Sequence, residues 1–88
     1  FYIAPSLAVY NNKLYISWSE IIGTKRKIRV KVYNGNDSSP SWTYVDGGTS
    51  SGINYDANQD ADGPSLAVHN NKLFCLWVEW NGSANQAR

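Results

Sequence analysis

The chain has 88 residues, 42% of them hydrophobic, with six Tyr and four Trp. That is too apolar and aromatic for a disordered segment, and long enough for one small domain at most. A net charge of +1 argues against the broad basic face of a nucleic-acid binder, and no apolar run approaches the ~20 residues of a membrane-spanning helix, so neither nucleic acid nor membrane is an expected partner.

Phe1 to Pro5 lacks the charged start and long apolar centre of a signal peptide. A hairpin follows. Leu7–Tyr10 and Lys13–Trp18 flank Asn11-Asn12, and adjacent Asn residues suit a tight two-residue turn because Asn tolerates positive φ. That turn pairs Val9 with Leu14 and Leu7 with Ile16. One face then carries Leu7, Val9, Leu14, Ile16 and Trp18, and the agreement of turn and alternation fixes the register.

Ile21-Ile22-Gly23-Thr24 reads as the next turn, and a third strand is predicted from Lys27 to Tyr33. Its basic run, Lys25 to Lys31, reads as a solvated strand edge or hairpin, where Lys discourages strand addition. Asn34 to Ser41 is loop by composition. Trp42 to Val45 is a fourth strand, and Asp46 to Gly63 is a long polar connection.

At Pro64 the opening phrase returns. Pro5–Arg29 and Pro64–Arg88 align at an offset of 59 residues, with 13 identities in 25 positions. The second copy repeats the apolar face as Leu66, Val68, Leu73, Cys75 and Trp77, while its other face holds Ala67, Phe74 and Leu76. Strands apolar on both sides are packed on both sides. Asn81-Gly82 marks a further hairpin.

Four short antiparallel strands per unit, with both faces apolar, describe a β-propeller blade. The fold class expected is therefore all-β, with about one and a half blades: residues 1–63 as the first blade and its return loop, 64–88 as the inner half of a second. A part-built ring reads as a piece of a longer propeller. The alternative is that identical chains dock through the unfinished blade.

The phrase Pro-Ser-Leu-Ala-Val-x-Asn-Asn-Lys-Leu-Tyr, followed by Ile28–Gly35, Trp42–Gly47 and Gly52–Asp56, resembles the repeat of secreted, lectin-like β-propellers of the tectonin and tachylectin type. The resemblance implies an extracellular binding protein with a glycan ligand. WD40 and sialidase signatures are absent.

Candidate site residues follow from chemistry. Sugar rings stack on aromatics while Asn and Asp read hydroxyls, so Trp42, Tyr44, Tyr55, Asn54, Asp56 and Trp80 are the expected ligand contacts, in grooves between blades and in loops. Packing between blades is the competing role for these aromatics. Asn58, Asp60 and Asp62, followed by Gly63, echo a calcium loop, but His69 stands at its twelfth position, where a bidentate Glu is needed; a solvated turn has the same composition. Asn36 and Asn81 head N-glycosylation sequons.

No cofactor is expected. Cys75, the single cysteine, has no internal disulfide partner and reads as a small buried hydrophobe. Glu20 and Glu79 recur in equivalent positions, which favours acceptance of backbone or Arg hydrogen bonds over acid–base work. With no nucleophile, base and orienter in one set, the expectation is a non-catalytic binding module, with a structural unit building oligomers or fibres as the alternative.

Overall fold

The computed structural model describes residues 5–45, 52–56, 58–80 and 85–87. They form strands and turns without a helix, and so no helix long and apolar enough to cross a membrane. Four strands, β1 (Ser6–Tyr10), β2 (Lys13–Ile22), β3 (Lys25–Tyr33) and β4 (Trp42–Tyr44), make an antiparallel sheet in chain order. The second sheet is β5 (Ala61–His69), β6 (Lys72–Trp80) and β7 (Asn85–Ala87), also antiparallel and in chain order. The two sheets do not close on each other.

Both hairpins have the expected turn. Asn11 and Asn12 sit at φ 51° and 63°, Asn70 and Asn71 at 52° and 58°, the left-handed pair of a type I′ connection. The register follows: Leu7 faces Ile16 and Val9 faces Leu14, just as Leu66 faces Cys75 and Val68 faces Leu73. The Asn81-Gly82 turn lies outside the described residues, as do Arg88 and residues 46–51 of the return connection.

The strands run longer than alternation suggested. β2 continues to Ile22 and β3 begins at Lys25, leaving only Gly23-Thr24 as the turn. β5 starts at Ala61, before the repeated phrase, and absorbs the extra residues in a bulge between Asp62 and Ser65. Gly63, at φ 63°, supplies the positive dihedral that a bulge of this kind uses.

Pairing sorts the first sheet into two faces. Ser6, Ala8 and Tyr10 stand beside Ser17 and Tyr15, and these beside Ile28, Val30 and Val32. This face meets the second sheet, with β5 lying against β1, β2 and β3. Ser17, Ser19, Ile28 and Val30 are buried there, and Val30, Leu66, Leu73 and Cys75 share a small apolar void of about 180 Å³ with Val45 and Ile53. Burying Ile28 alone contributes about 1.5–3 kcal/mol. The Ser6 hydroxyl accepts the Leu66 amide at 3.0 Å, and the Tyr10 hydroxyl donates to the Asn71 carbonyl at 3.1 Å.

The other face carries Leu7, Val9, Leu14, Ile16 and Trp18, where Leu7 and Val9 stand open to solvent. Alternation located the faces correctly, but the more apolar one of the first sheet is the uncovered one. On the second sheet the equivalent residues, headed by buried Leu66, do the covering.

The basic run is not a solvated edge. β3 is flanked by β2 and β4, and Lys27 and Arg29 are buried. The Arg29 guanidinium lies 4.1 Å from the Tyr44 ring centre and 3.5 Å from the Glu20 carboxylate. Its stem and planar head are therefore covered by aromatic surface with the charge still paired.

Candidate ligand-binding cleft

The return connection binds the two sheets together. Val45 N–H donates to the Val30 carbonyl at 2.9 Å, and Ile53 N–H to the Ile28 carbonyl at 3.0 Å. Gly52, at φ 61°, lies so close that a Cβ would collide with the Ile28 carbonyl oxygen. Asn54 accepts from the Ile28 amide at 2.9 Å and donates to the carbonyls of Arg26 and Gln59 at 3.0 and 2.9 Å. Three of the four hydrogen-bonding positions of its amide are thus used within the chain, holding the connection on β3.

Glu79, buried in β6, accepts from the Tyr55 amide at 2.8 Å, the Asp56 amide at 2.7 Å and the Trp77 indole at 2.9 Å. The repeated carboxylate is a backbone acceptor here, as the repetition suggested. Glu20 pairs instead with Arg29.

Asp60 and Asp62 turn toward Arg26. Asp60 Oδ1 accepts the Arg26 amide at 2.8 Å, and Asp62 takes the guanidinium at 3.0 Å and the Ser19 hydroxyl at 2.8 Å. Asn58 is separate, its amide donating to Asp56 Oδ1 at 2.9 Å. The residues of the calcium alternative therefore do not converge. Asp60 and Asp62 already face a cation, and no cluster of three or more His, Cys, Asp or Glu side chains forms among the described residues.

Around this ion pair opens a cleft of about 410 Å³, lined by Lys25, Arg26, Gln59, Asp60, Asp62 and Trp80, with Ala61 and Val78. Trp80 N–H donates to the Asp60 carbonyl at 2.9 Å, which fixes the base of its side chain. The ring is half-exposed. One apolar wall beside paired carboxylate and guanidinium groups, with the Gln59 amide, is the make-up of a small polar ligand site. Sequence reasoning missed Arg26 and Gln59. The signal for Arg26 was present: its position in the second copy is Asn85, so the charge belongs to this unit rather than to the repeat.

The other expected contacts lie elsewhere. Tyr55 is 74% exposed on the connection, next to Asp56. Trp42 stacks on Tyr33 with ring centres 5.0 Å apart, and Tyr44 on Trp18 at 6.4 Å with Lys31 over its ring at 4.3 Å. These pairs belong to the first sheet, away from the cleft. A second, larger groove of about 780 Å³ runs between the Asn12-Lys13 turn and Tyr33-Asn34-Gly35. Asn36 is exposed in its loop, its Oδ1 accepting the Ser38 and Ser39 amides at 3.0 and 3.2 Å; Asn81 lies outside the described residues.

Tyr33 closes the Asn36 loop, donating to Asp37 at 2.5 Å, and that hydrogen bond raises its phenol above the ordinary 10.0. The bond is present while the phenol keeps its proton and is lost as pH rises through the raised value. Asp37→Asn returns the Tyr33 titration toward the ordinary value, readable in the ultraviolet or by NMR; an unmoved titration counts against the bond. Burial pushes the Cys75 thiol up, with the Ser17 hydroxyl acting the other way. The net direction is upward, so the half-buried thiol keeps its proton at neutral pH.

Comparison with family models, with curated proteins and with solved structures returned no match for this chain.

Proposed function

We propose that the chain is a sector of a β-propeller, about one and a half blades, acting as a non-catalytic carbohydrate-binding module of the lectin-like kind, with the cleft between the sheets as its site. The single observation that carries this reading is the half-exposed Trp80 ring walling a cleft whose other groups are the fixed Arg26–Asp60–Asp62 cluster and Gln59. A sugar's apolar ring face stacks on the indole, and its hydroxyls exchange hydrogen bonds with planar side chains already held in place. The order of strands in each sheet and the face-to-face stacking of equivalent units support the propeller. The resemblance to secreted lectin-like propellers adds the extracellular setting.

Binding without catalysis fits the use of the acids. Every described carboxylate has a structural partner: Glu20 with Arg29, Asp37 with Tyr33, Asp56 with the Asn58 amide, Asp60 and Asp62 with Arg26, and Glu79 with three N–H groups.

A glycan array followed by calorimetry on the best ligand tests this. Trp80→Ala is expected to weaken binding about tenfold or more, with the circular dichroism unchanged, while Trp42→Ala leaves it intact. Absence of any sugar ligand, or full affinity in the Trp80 variant, would remove the reading.

A further inference from the structure

The interface between the two sheets is built from two unlike faces of one repeated unit. The first sheet contributes its Ser6–Ser17–Val30 face. The second contributes its Leu66–Cys75–Leu73 face. Because the units are equivalent, each also carries the face that the other uses. The first sheet presents Leu7, Ile16 and Leu14 where the second turns Leu66, Cys75 and Leu73 toward its neighbour, and Leu7 is 61% exposed against 8% for Leu66. The second sheet presents Phe74, Leu76 and Val78 where the first buries residues against its neighbour. Leu76 is 56% exposed, whereas its counterpart Ser17 is fully covered.

The uncovered pair of faces is the more apolar one. Ser17 and Ser19 in the existing interface become Leu76 and Val78 in the open one, and Cys75 becomes Ile16. The polar anchor is retained. Ser6, whose hydroxyl receives the Leu66 amide, recurs as Ser65, and Leu66 recurs as Leu7. The open faces therefore match each other by the pattern that already joins the two sheets.

We propose that the Leu7–Leu14–Ile16 face of one chain docks on the Phe74–Leu76–Val78 face of a second copy, head to tail, with Ser65 receiving the second copy's Leu7 amide. The contact is heterologous, so each chain has one donor face and one acceptor face. Growth ends only when a ring closes or when one face is blocked.

Light scattering coupled to size exclusion tests it, with circular dichroism to check folding. The wild-type chain is expected at a multiple of its 9.8 kDa mass. Leu7→Asp and Leu76→Asp each reduce it to monomer. Both side chains are exposed within a chain, so the folded monomer survives either change. Mixing the two variants restores a dimer and nothing larger, because the open face of each variant complements the other's. Val9→Lys and Phe74→Lys repeat the pairing should either Asp variant fold poorly. A wild-type monomer across concentrations, a single variant that keeps its size, or a mixture that stays monomeric each overturns the proposal.

Discussion

Glu79→Ala is expected to cost about 3–5 kcal/mol, because three N–H groups lose one charged acceptor and a hydrogen bond to a charged group is worth about 1.5–3 kcal/mol, less where water can replace it. The carboxylate is 2% exposed and accepts three N–H groups. Removing it leaves the Tyr55 and Asp56 amides and the Trp77 indole without their acceptor, and bonds to a charged group are the stronger kind. A domain of this size has roughly 5–10 kcal/mol in total, so the variant sits near its unfolding threshold. Its melting temperature falls by about 15 °C or more. The Glu20→Ala exchange at the equivalent position is expected to cost less, about 1–3 kcal/mol, because Glu20 has a 37% exposed side chain and makes one 3.5 Å contact, with the buried Arg29. Thermal melts of the two variants side by side decide the matter. Equal losses would show that the Glu79 network is not what holds the connection to β6.

That contrast also shows what repetition hides. The sequence displays both glutamates in one frame, and the hairpin register, the Asn-Asn turns and the alternating faces are all readable from local pattern, since turn chemistry and period-two alternation act over a few residues. Which face each unit buries is a property of its neighbour. Leu7 and Leu66 are identical in sequence context yet opposite in exposure. Burial of the basic run was equally out of reach, because it depends on β4 and Tyr44 arriving beside Arg29. Of the expected contacts only Trp80 reaches the cleft. Asp60 and Asp62, read as a calcium alternative, reach it through Arg26, a pairing across 34 and 36 residues that no local motif announces.

Asn54 separates fold from ligand most directly. Read as a sugar contact, its replacement by Ala would leave stability alone and abolish binding. The structure gives the opposite expectation. Its amide holds the Ile28 N–H and the carbonyls of Arg26 and Gln59, and it follows Gly52 and Ile53, where the connection lies against β3. Asn54→Ala strands one donor and two acceptors in a part-buried position, at a cost of about 2–4 kcal/mol. Asn54→Asp keeps the acceptor for Ile28 but turns a carboxylate toward two carbonyl oxygens, so it recovers little of that loss. Urea titration is expected to show both variants with a lowered midpoint. Gln59 and Asp60, which line the cleft, sit on the segment Asn54 anchors, but Asp60 stays tied to Arg26 and Trp80 by bonds that Asn54 does not make, so ligand affinity measured on the folded fraction changes far less than in Trp80→Ala. Wild-type stability in Asn54→Ala would return the residue to the candidate ligand contacts and the cleft to a different set of walls.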